Sequence, residues 1–261
     1  MDTNSDIKKV ENELFDLFES DSEVTENLKS FLKAPSKRIR SIFAILYLKS
    51  NECEITDDII ALLTAGELIH NSSLLHDDVI DEAELRREEK TISKKFSSKI
   101  SILSGDYLLS FAVKKLLELN NNEILNIFLN CTEKMCKAEI NQYIQRGKIP
   151  TENEYLEICE GKTSALFEAI LKSAAILKGL DKNKAEKLGT LFGTLFQINN
   201  DSSDESIKAD KKNEIHTCIE VLGIEKTNAL KDNYKEEIRA ITESFPNKIY
   251  GSKLRDLAVN L

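Results

Sequence analysis

Two carboxylates four residues apart follow an apolar pair in the segment LLHDDVIDEAELRR. They are Asp77 and Asp81, and residues at i and i+4 share one face of a helix. Their charges repel unless a cation lies between them, and Mg²⁺ prefers one or two carboxylates together with substrate phosphates. Arg86 and Arg87 follow, and guanidinium groups suit phosphate oxygens. The segment predicts a magnesium–phosphate site, with a solvated acidic helix end as the alternative.

A second acidic cluster follows another apolar stretch, in FQINNDSSDE. It contains Asn200, Asp201 and Asp204, with the two acids three residues apart. An isolated cluster of this kind is also typical of a helix that ends in a polar loop. Taken with the first cluster, it predicts carboxylates that face each other across the mouth of one cavity.

Cationic residues occur at two further places. Lys37, Arg38 and Arg40 stand at a predicted helix start, where the helix dipole and their charges both favour an anion. An ordinary basic surface turn is the alternative there. Lys162 and Thr163 interrupt an apolar helical stripe, and a lysine in such a stripe needs an anionic partner or a route to solvent.

The elements that must position these groups are predicted to be helices. The chain of 261 residues contains only 9 glycines and 3 prolines, which is low for a turn-rich fold. Apolar residues recur with helical periodicity and no convincing strand is found. We expect one all-α domain over residues 1–261, a bundle of about eight to ten helices. The predicted segments are 7–32, 37–48, 56–81, 103–119, 123–145, 152–180, 181–198, 213–245 and 248–261, with a polar stretch at 82–98.

Composition and charge exclude several classes of protein. A net charge of −9 argues against a broad nucleic-acid footprint. The N-terminus has neither the basic nor the apolar region of a secretory signal, and the apolar stretches are too short for a transmembrane segment. Five cysteines, none spaced CxxC, argue against a disulfide framework or a zinc site and indicate a cytoplasmic location.

The motifs occur in the order KRIR, IHxxxLLHDDxxDxxxxRR, KTxxLF and FQIxxDxxD. In this order and spacing, residues 28 to 225 resemble the trans-isoprenyl diphosphate synthases, also called polyprenyl synthetases. The resemblance implies an isoprenoid-synthase helical bundle around a deep central pocket. It also implies a magnesium-dependent 1'-4 condensation of isopentenyl diphosphate with an allylic diphosphate, carried out by a homodimer.

The resemblance assigns roles to individual residues. Its magnesium ligands would be Asp77, Asp81 and the supporting Asp78, and its second metal motif would be Asn200, Asp201 and Asp204. The allylic substrate would be bound by Arg86, Lys162 and Gln142, with Thr163 and Gln197 near the reacting carbon. Isopentenyl diphosphate would be bound by Lys37, Arg40, His70 and Arg87.

Product length follows from two positions in this family. The residues four and five before the first aspartate form the floor of the pocket, and bulky aromatic side chains there stop elongation early. Here those residues are Ser73 and Ser72. Because both are small, the resemblance implies a long-chain product.

The sequence departs from the family pattern mainly around the second acidic motif. Asn200 replaces an aspartate, which removes one charge from that metal site. The loop that follows lacks its usual glycine, since none occurs between Gly193 and Gly223. The other departures are Ser202 and Ser203 in place of apolar residues, Lys208, Lys211 or Lys212 in place of a loop lysine, and Pro35-Ser36 in place of a glycine pair.

Three alternative functions stay open. A partner or regulatory subunit would keep the fold and depend on another synthase-like chain for turnover, which the altered second motif favours. A class I terpene cyclase also uses DDxxD, but the acid it needs eight residues after Asn200 is Lys208 here. A metal phosphohydrolase using the His76-Asp77 doublet would need further ligands, and the other histidines are only His70 and His216.

Overall fold

Helices make up most of the computed structural model, which describes residues 3–17, 22–87, 89–202 and 213–259. The prediction of an all-α fold is confirmed. The helices are α1 Thr3–Phe15, α2 Glu23–Lys33, α3 Ile39–Ser50, α4 Asp57–Ile80, α5 Ile92–Lys95, α6 Ser98–Glu118, α7 Asn122–Ile144, α8 Glu152–Cys159, α9 Ala165–Lys178, α10 Lys182–Asp201, α11 Cys218–Leu222, α12 Ile224–Glu243 and α13 Lys248–Val259. A π-helical turn, Glu160–Ser164, joins α8 to α9, and two short strands are β1 Leu85–Arg86 and β2 Glu89–Lys90.

The chain divides into two compact units. The first contains Met1–Ile45 and Ile55–Leu125, and the second contains Leu46–Glu54 and Asn126–Leu261. The prediction of one domain over residues 1–261 stays a prediction. Within the described ranges, no helix is both long enough and apolar enough to cross a membrane.

In the first unit, α4 packs closely along α6 because small residues face each other. Ser101 Oγ donates to the carbonyl oxygen of Leu75 at 2.9 Å, and Ser72 Oγ donates to that of Gly105 at 2.8 Å. A Cβ added at Gly105 would lie 2.3 Å from His76 Nε2. These contacts bury most of α4 and fix the helix that carries the first acidic motif.

In the second unit, α10 lies against α9 and the π-helical turn. A Cβ added at Gly193 would lie 2.5 Å from the Cα of Ser164, so the two backbones approach as closely as a glycine allows. The rings of Phe167 and Phe192 pack with their centroids 5.2 Å apart. This close packing brings the polar residues at the end of α10 next to the π-helical turn.

Local capping and backbone geometry divide two segments that the periodicity predicted as single helices. The segment 7–32 forms α1 and α2, because Ser22 and Thr25 form a capping box that starts a new helix. The segment 213–245 forms α11 and α12, because Gly223 adopts a φ of +79° that a continuous helix does not allow.

Two further elements were not expected from the sequence. The predicted helix 152–180 contains the π-helical turn, whose wider hydrogen-bonding pattern apolar periodicity does not reveal. The polar stretch 82–98 contains an antiparallel ribbon that pairs Leu85 with Lys90 and Arg86 with Glu89. The sequence contains no convincing strand, and the described part of the chain adds only this pair of two-residue strands. Arg87, in the turn after β1, has a φ of +52°.

Candidate active site

The first acidic motif occupies the C-terminal end of α4. Asp77 and Asp81 are partly exposed, whereas Asp78 is buried. The side chain of Arg86, on β1, donates from Nε to Asp78 Oδ1 at 2.7 Å. Burial raises the pKa of Asp78, while the charge and hydrogen bond of Arg86 act in the opposite direction. Asp78 therefore anchors the hairpin that carries Arg86 and Arg87.

The donor set of this motif fits a magnesium ion that is completed by phosphate oxygens. Asp77 and Asp81 offer hard oxygen ligands, and Mg²⁺ is commonly held by one or two carboxylates plus substrate phosphates. The Oδ2 atom of Asp78 is buried and has no hydrogen-bond partner among the described residues. Within those residues, no group of three or more His, Cys, Asp or Glu side chains is arranged to hold a metal by itself. The magnesium ligands stay a prediction.

The positive charges of four arginines act on His70, which lies on α4. Burial lowers the pKa of His70 well below its usual value, and the positive charges of Arg40, Arg86, Arg87 and Arg38 lower it further. Partial burial of its guanidinium and the charges of Arg86 and Arg38 also lower the pKa of Arg87, although the residue as a whole is exposed. Such a concentration of positive charge around a neutral imidazole favours a multiply charged anion. The first unit thus brings together His70, Arg40 and Arg87, three of the four residues predicted to bind isopentenyl diphosphate.

The remaining predicted residue of that group is Lys37, which lies exposed in the turn before α3. Its neighbour Arg38 is instead directed into the protein: it has a φ of +45° and is only 4% exposed. Arg38 donates to the carbonyl oxygen of Leu32 at 2.7 Å and pairs with Glu67 at 3.3 Å. Sequence reasoning grouped Arg38 with the other cations and missed Glu67, although a glutamate inside the apolar part of α4 signals a buried partner.

In the second unit, Lys162 has an anionic partner, which is one of the two possibilities that the sequence left open. Its Nζ lies 2.7 Å from Glu139 Oε2 and donates to Gln142 Oε1, also at 2.7 Å. Both partners are on α7, whereas Lys162 is in the π-helical turn. The structure thus brings together Gln142 and Lys162, both predicted to bind the allylic substrate, and adds Glu139, which the sequence reasoning did not single out; the substrate roles stay a prediction.

A hydrogen-bonded chain connects the π-helical turn to α10. Thr163 Oγ1 donates to Gln197 Oε1 at 2.6 Å, and Gln197 Nε2 donates to Asp201 Oδ1 at 2.6 Å. Tyr155 Oη donates to Asp201 Oδ2 at 2.5 Å. Burial raises the pKa of Asp201, and its two hydrogen bonds act in the opposite direction. Tyr155 is buried in an apolar cluster, and its apolar sequence surroundings do not mark it as part of this hydrogen-bonded chain.

The rest of the second acidic motif is described only in part. Asn200 is exposed at the end of α10, next to the buried Asp201. Asp204 lies outside the described residues, as do the lysines proposed for the following loop, Lys208, Lys211 and Lys212. The metal role of Asn200, Asp201 and Asp204 stays a prediction.

The two serines predicted to set product length lie on different sides of α4. Ser72 is 3% exposed and its hydroxyl is bonded to α6. Ser73 is partly exposed, and its hydroxyl donates to the carbonyl oxygen of His70 at 2.9 Å. Ser73 therefore has more room for a larger side chain than Ser72.

Known proteins are similar to this chain in sequence. The family model for polyprenyl synthetase matches residues 21–221. An octaprenyl diphosphate synthase from Haemophilus influenzae is 32% identical over 77% of this chain and 62% of its own length. A heptaprenyl diphosphate synthase component 2 from Geobacillus stearothermophilus is 31% identical over 77% of this chain and 64% of its own length. The match thus spans less than two thirds of these relatives.

Solved structures match over almost the whole chain. A heptaprenyl diphosphate synthase from Staphylococcus aureus superposes with a TM-score of 0.90 at 24% identity, covering 100% of this chain and 98% of the other. A geranyltranstransferase from Thermotoga maritima superposes with a TM-score of 0.87 at 26% identity, covering 99% and 98%. From the family model and the motif residues that the fold brings together, this chain belongs to the polyprenyl synthetase family.

Proposed function

We propose that the protein is a prenyltransferase that condenses isopentenyl diphosphate with an allylic diphosphate, by 1'-4 trans addition, to form a long-chain polyprenyl diphosphate. The observation that carries this proposal is the hydrogen bond from Arg86 Nε to Asp78 Oδ1 at 2.7 Å, which holds a guanidinium group next to the partly exposed carboxylates of Asp77 and Asp81 at the end of α4. A fixed cation beside a pair of magnesium-type carboxylates suits a site that handles diphosphate groups.

On the allylic side, the chemistry is the departure of diphosphate from an allylic carbon. Arg86 in the first unit and Lys162 in the second unit each offer positive charge to diphosphate oxygens, and in the free protein Lys162 is paired with Glu139. Magnesium held by Asp77 and Asp81, when bound, neutralises part of the charge on the leaving group. Thr163 and Gln197 present polar atoms that are already ordered by their mutual hydrogen bond.

On the isopentenyl side, Lys37, Arg40, His70 and Arg87 bind the diphosphate of the second substrate. The diphosphate replaces water around the arginines and offsets their mutual repulsion. The carbon–carbon double bond of isopentenyl diphosphate then attacks the allylic carbon, and the released diphosphate takes up the proton whose loss forms the new double bond. Exclusion of water protects the cationic carbon during this step.

The length of the product follows from the small floor residues Ser72 and Ser73, which leave space for an elongating chain. The relatives named octaprenyl and heptaprenyl diphosphate synthase support a long-chain product. We propose a homodimer as the assembly. A heteromeric partner is the second candidate, since one relative is named as component 2 of a synthase and Asn200 lacks the charge of an aspartate.

The test is incubation of the purified chain alone with isopentenyl diphosphate, a panel of allylic diphosphates and Mg²⁺, followed by mass spectrometry of the extracted lipids. A series of products that differ by one five-carbon unit supports the enzyme. If the chain alone makes no product, but does so after addition of a synthase-like chain that co-purifies with it, the subunit function is correct. No product in either case contradicts both proposals.

A further inference from the structure

Four side chains of the second unit form one continuous hydrogen-bonded path. Thr163 donates to Gln197, and Gln197 donates to one oxygen of Asp201. The other oxygen of Asp201 accepts the hydroxyl of Tyr155. All three distances are between 2.5 and 2.6 Å. Within this path, Asp201 is therefore the acceptor of hydrogen bonds from two separate donors, Gln197 and Tyr155.

The path links both sides of a break in the helix. Tyr155 lies on α8, before the π-helical turn, and Thr163 lies inside that turn. Gln197 and Asp201 are four residues apart on α10 and so share one face of that helix. π-helical turns are rare, and they frequently occur at functional sites. The path thus fixes the irregular segment that carries Lys162 and Thr163 against a regular helix.

Burial makes the contact between Tyr155 and Asp201 hard to replace. Tyr155 is 4% exposed and Asp201 is 8% exposed, and Tyr155 packs in an apolar cluster with Cys159, Ile198 and Cys218. Water has little access to this cluster, so a carboxylate oxygen that loses its donor there stays unsatisfied. Asp201 would then reorient towards other donors, and its hydrogen bond with Gln197 would be displaced.

We infer that Tyr155 is a positioning residue for prenyl transfer: its hydroxyl holds Asp201, which in turn holds Gln197 and Thr163. This inference rests on the proposed function, in which Thr163 and Gln197 lie beside the reacting allylic carbon. Tyr155 acts only through the path. Its removal therefore affects the chemical step on the allylic side more than the binding of isopentenyl diphosphate, whose predicted residues belong to the first unit.

The experiment compares two conservative variants of the full chain. Tyr155→Phe removes one hydroxyl and keeps the buried ring. Thr194→Val is the matched control: the Thr194 hydroxyl lies 2.8 Å from Ser164 Oγ, so this change removes a buried contact between α10 and the π-helical turn, the two elements that the Thr163–Gln197 hydrogen bond also joins. The measurements are kcat, KM for each substrate, the melting temperature, and a crystal structure of Tyr155→Phe.

Tyr155→Phe is expected to lower kcat about tenfold or more, since small displacements at a reacting centre are costly, while KM for isopentenyl diphosphate stays within about twofold. Thr194→Val is expected to keep kcat. The crystal structure of Tyr155→Phe is expected to show Asp201 rotated and the contact between Thr163 and Gln197 broken.

Three results would overturn the inference. They are an unchanged kcat in Tyr155→Phe, an equal loss of kcat in Thr194→Val, and a Tyr155→Phe structure that keeps both contacts of Gln197. If the wild-type chain transfers no prenyl group, the proposed function fails. In that case the crystal structure still decides whether Tyr155 orders Gln197 and Thr163.

Discussion

Arg38 Nη1 lies 3.3 Å from Glu67 Oε2, and the two side chains are only 3% and 2% exposed. Ser41 donates to the other oxygen of Glu67 at 2.7 Å. Glu67 lies on α4 one turn before His70, and Arg38 lies in the turn that precedes α3. This buried pair therefore joins the two elements that carry Arg40 and His70.

Replacement of Arg38 by methionine is expected to destabilise the protein strongly. The change leaves Glu67 as an uncompensated buried charge, which costs about 3–5 kcal/mol. The free energy of unfolding, measured by urea denaturation, checks this value. Lys8→Met is the matched control, because Lys8 is exposed on α1 and such a surface change stays within about 0.5 kcal/mol. A loss at Arg38 no larger than that of the control would contradict the role of the pair.

His70 is expected to be neutral at pH 7 in the free protein and to gain a proton more readily when a diphosphate binds. Burial and the surrounding arginines hold the pKa of His70 well below its usual value, and a bound anion offsets the arginine charges. The chain has only three histidines, so NMR titration with and without inorganic pyrophosphate can follow each one, with His70→Gln for assignment.

The same shift predicts how stability depends on pH. The unfolded chain binds a proton at His70 near pH 6.5, whereas in the folded chain His70 becomes protonated only at a lower pH. Stability from this group is thus complete above about pH 6.5 and decreases as the pH falls towards the folded pKa. A His70 resonance that titrates at or above the ordinary histidine value in the free protein would show that the arginines do not surround it.

Gly193→Ala is expected to destabilise the protein by about 1–3 kcal/mol, as overpacking does. The new Cβ would lie 2.5 Å from the Cα of Ser164, and a backbone atom cannot move as a side chain can. The control is Gly251→Ala on α13, where the nearest atom would be at 3.4 Å; helix propensity there favours alanine by about 0.5–1 kcal/mol. Equal effects of both changes on the unfolding free energy would refute the close packing of α10.

Ser73→Phe is expected to shorten the prenyl product with little loss of stability, because Ser73 is partly exposed. Ser72→Phe is also expected to shorten it, but with a lower melting temperature, because Ser72 is buried against α6. Mass spectrometry of the products and thermal denaturation measure the two effects, with Ser73→Ala as the control. An unchanged product distribution in both phenylalanine variants would remove these residues from the pocket floor.

Sequence reasoning succeeded where local chemistry was sufficient. Helical periodicity and few glycines predicted the all-α fold. The apolar stripe interrupted by Lys162 predicted either an anionic partner or a route to solvent, and Glu139 is that partner. The motif order places His70, Arg40 and Arg87 in one group, which stays a prediction.

Other features depend on contacts between distant segments and left no local signal. The π-helical turn has the same apolar pattern as a regular helix. The ring of Tyr155 is a core side chain. The contact of its hydroxyl with Asp201 depends on the packing of α10 beside α8. The inward direction of Arg38 depends on a positive φ and on Glu67, 29 residues away. Each of these needed tertiary structure to be found.

The central claim is tested most directly by the initial rate at which the purified chain transfers labelled isopentenyl diphosphate to an allylic diphosphate in the presence of Mg²⁺. We expect transfer by the wild type and a loss of about 100-fold or more in Asp77→Ala and Asp81→Ala, because each variant loses a charge that the departing diphosphate needs. Variants as fast as the wild type, or a wild type without transfer at any magnesium concentration, would contradict the account.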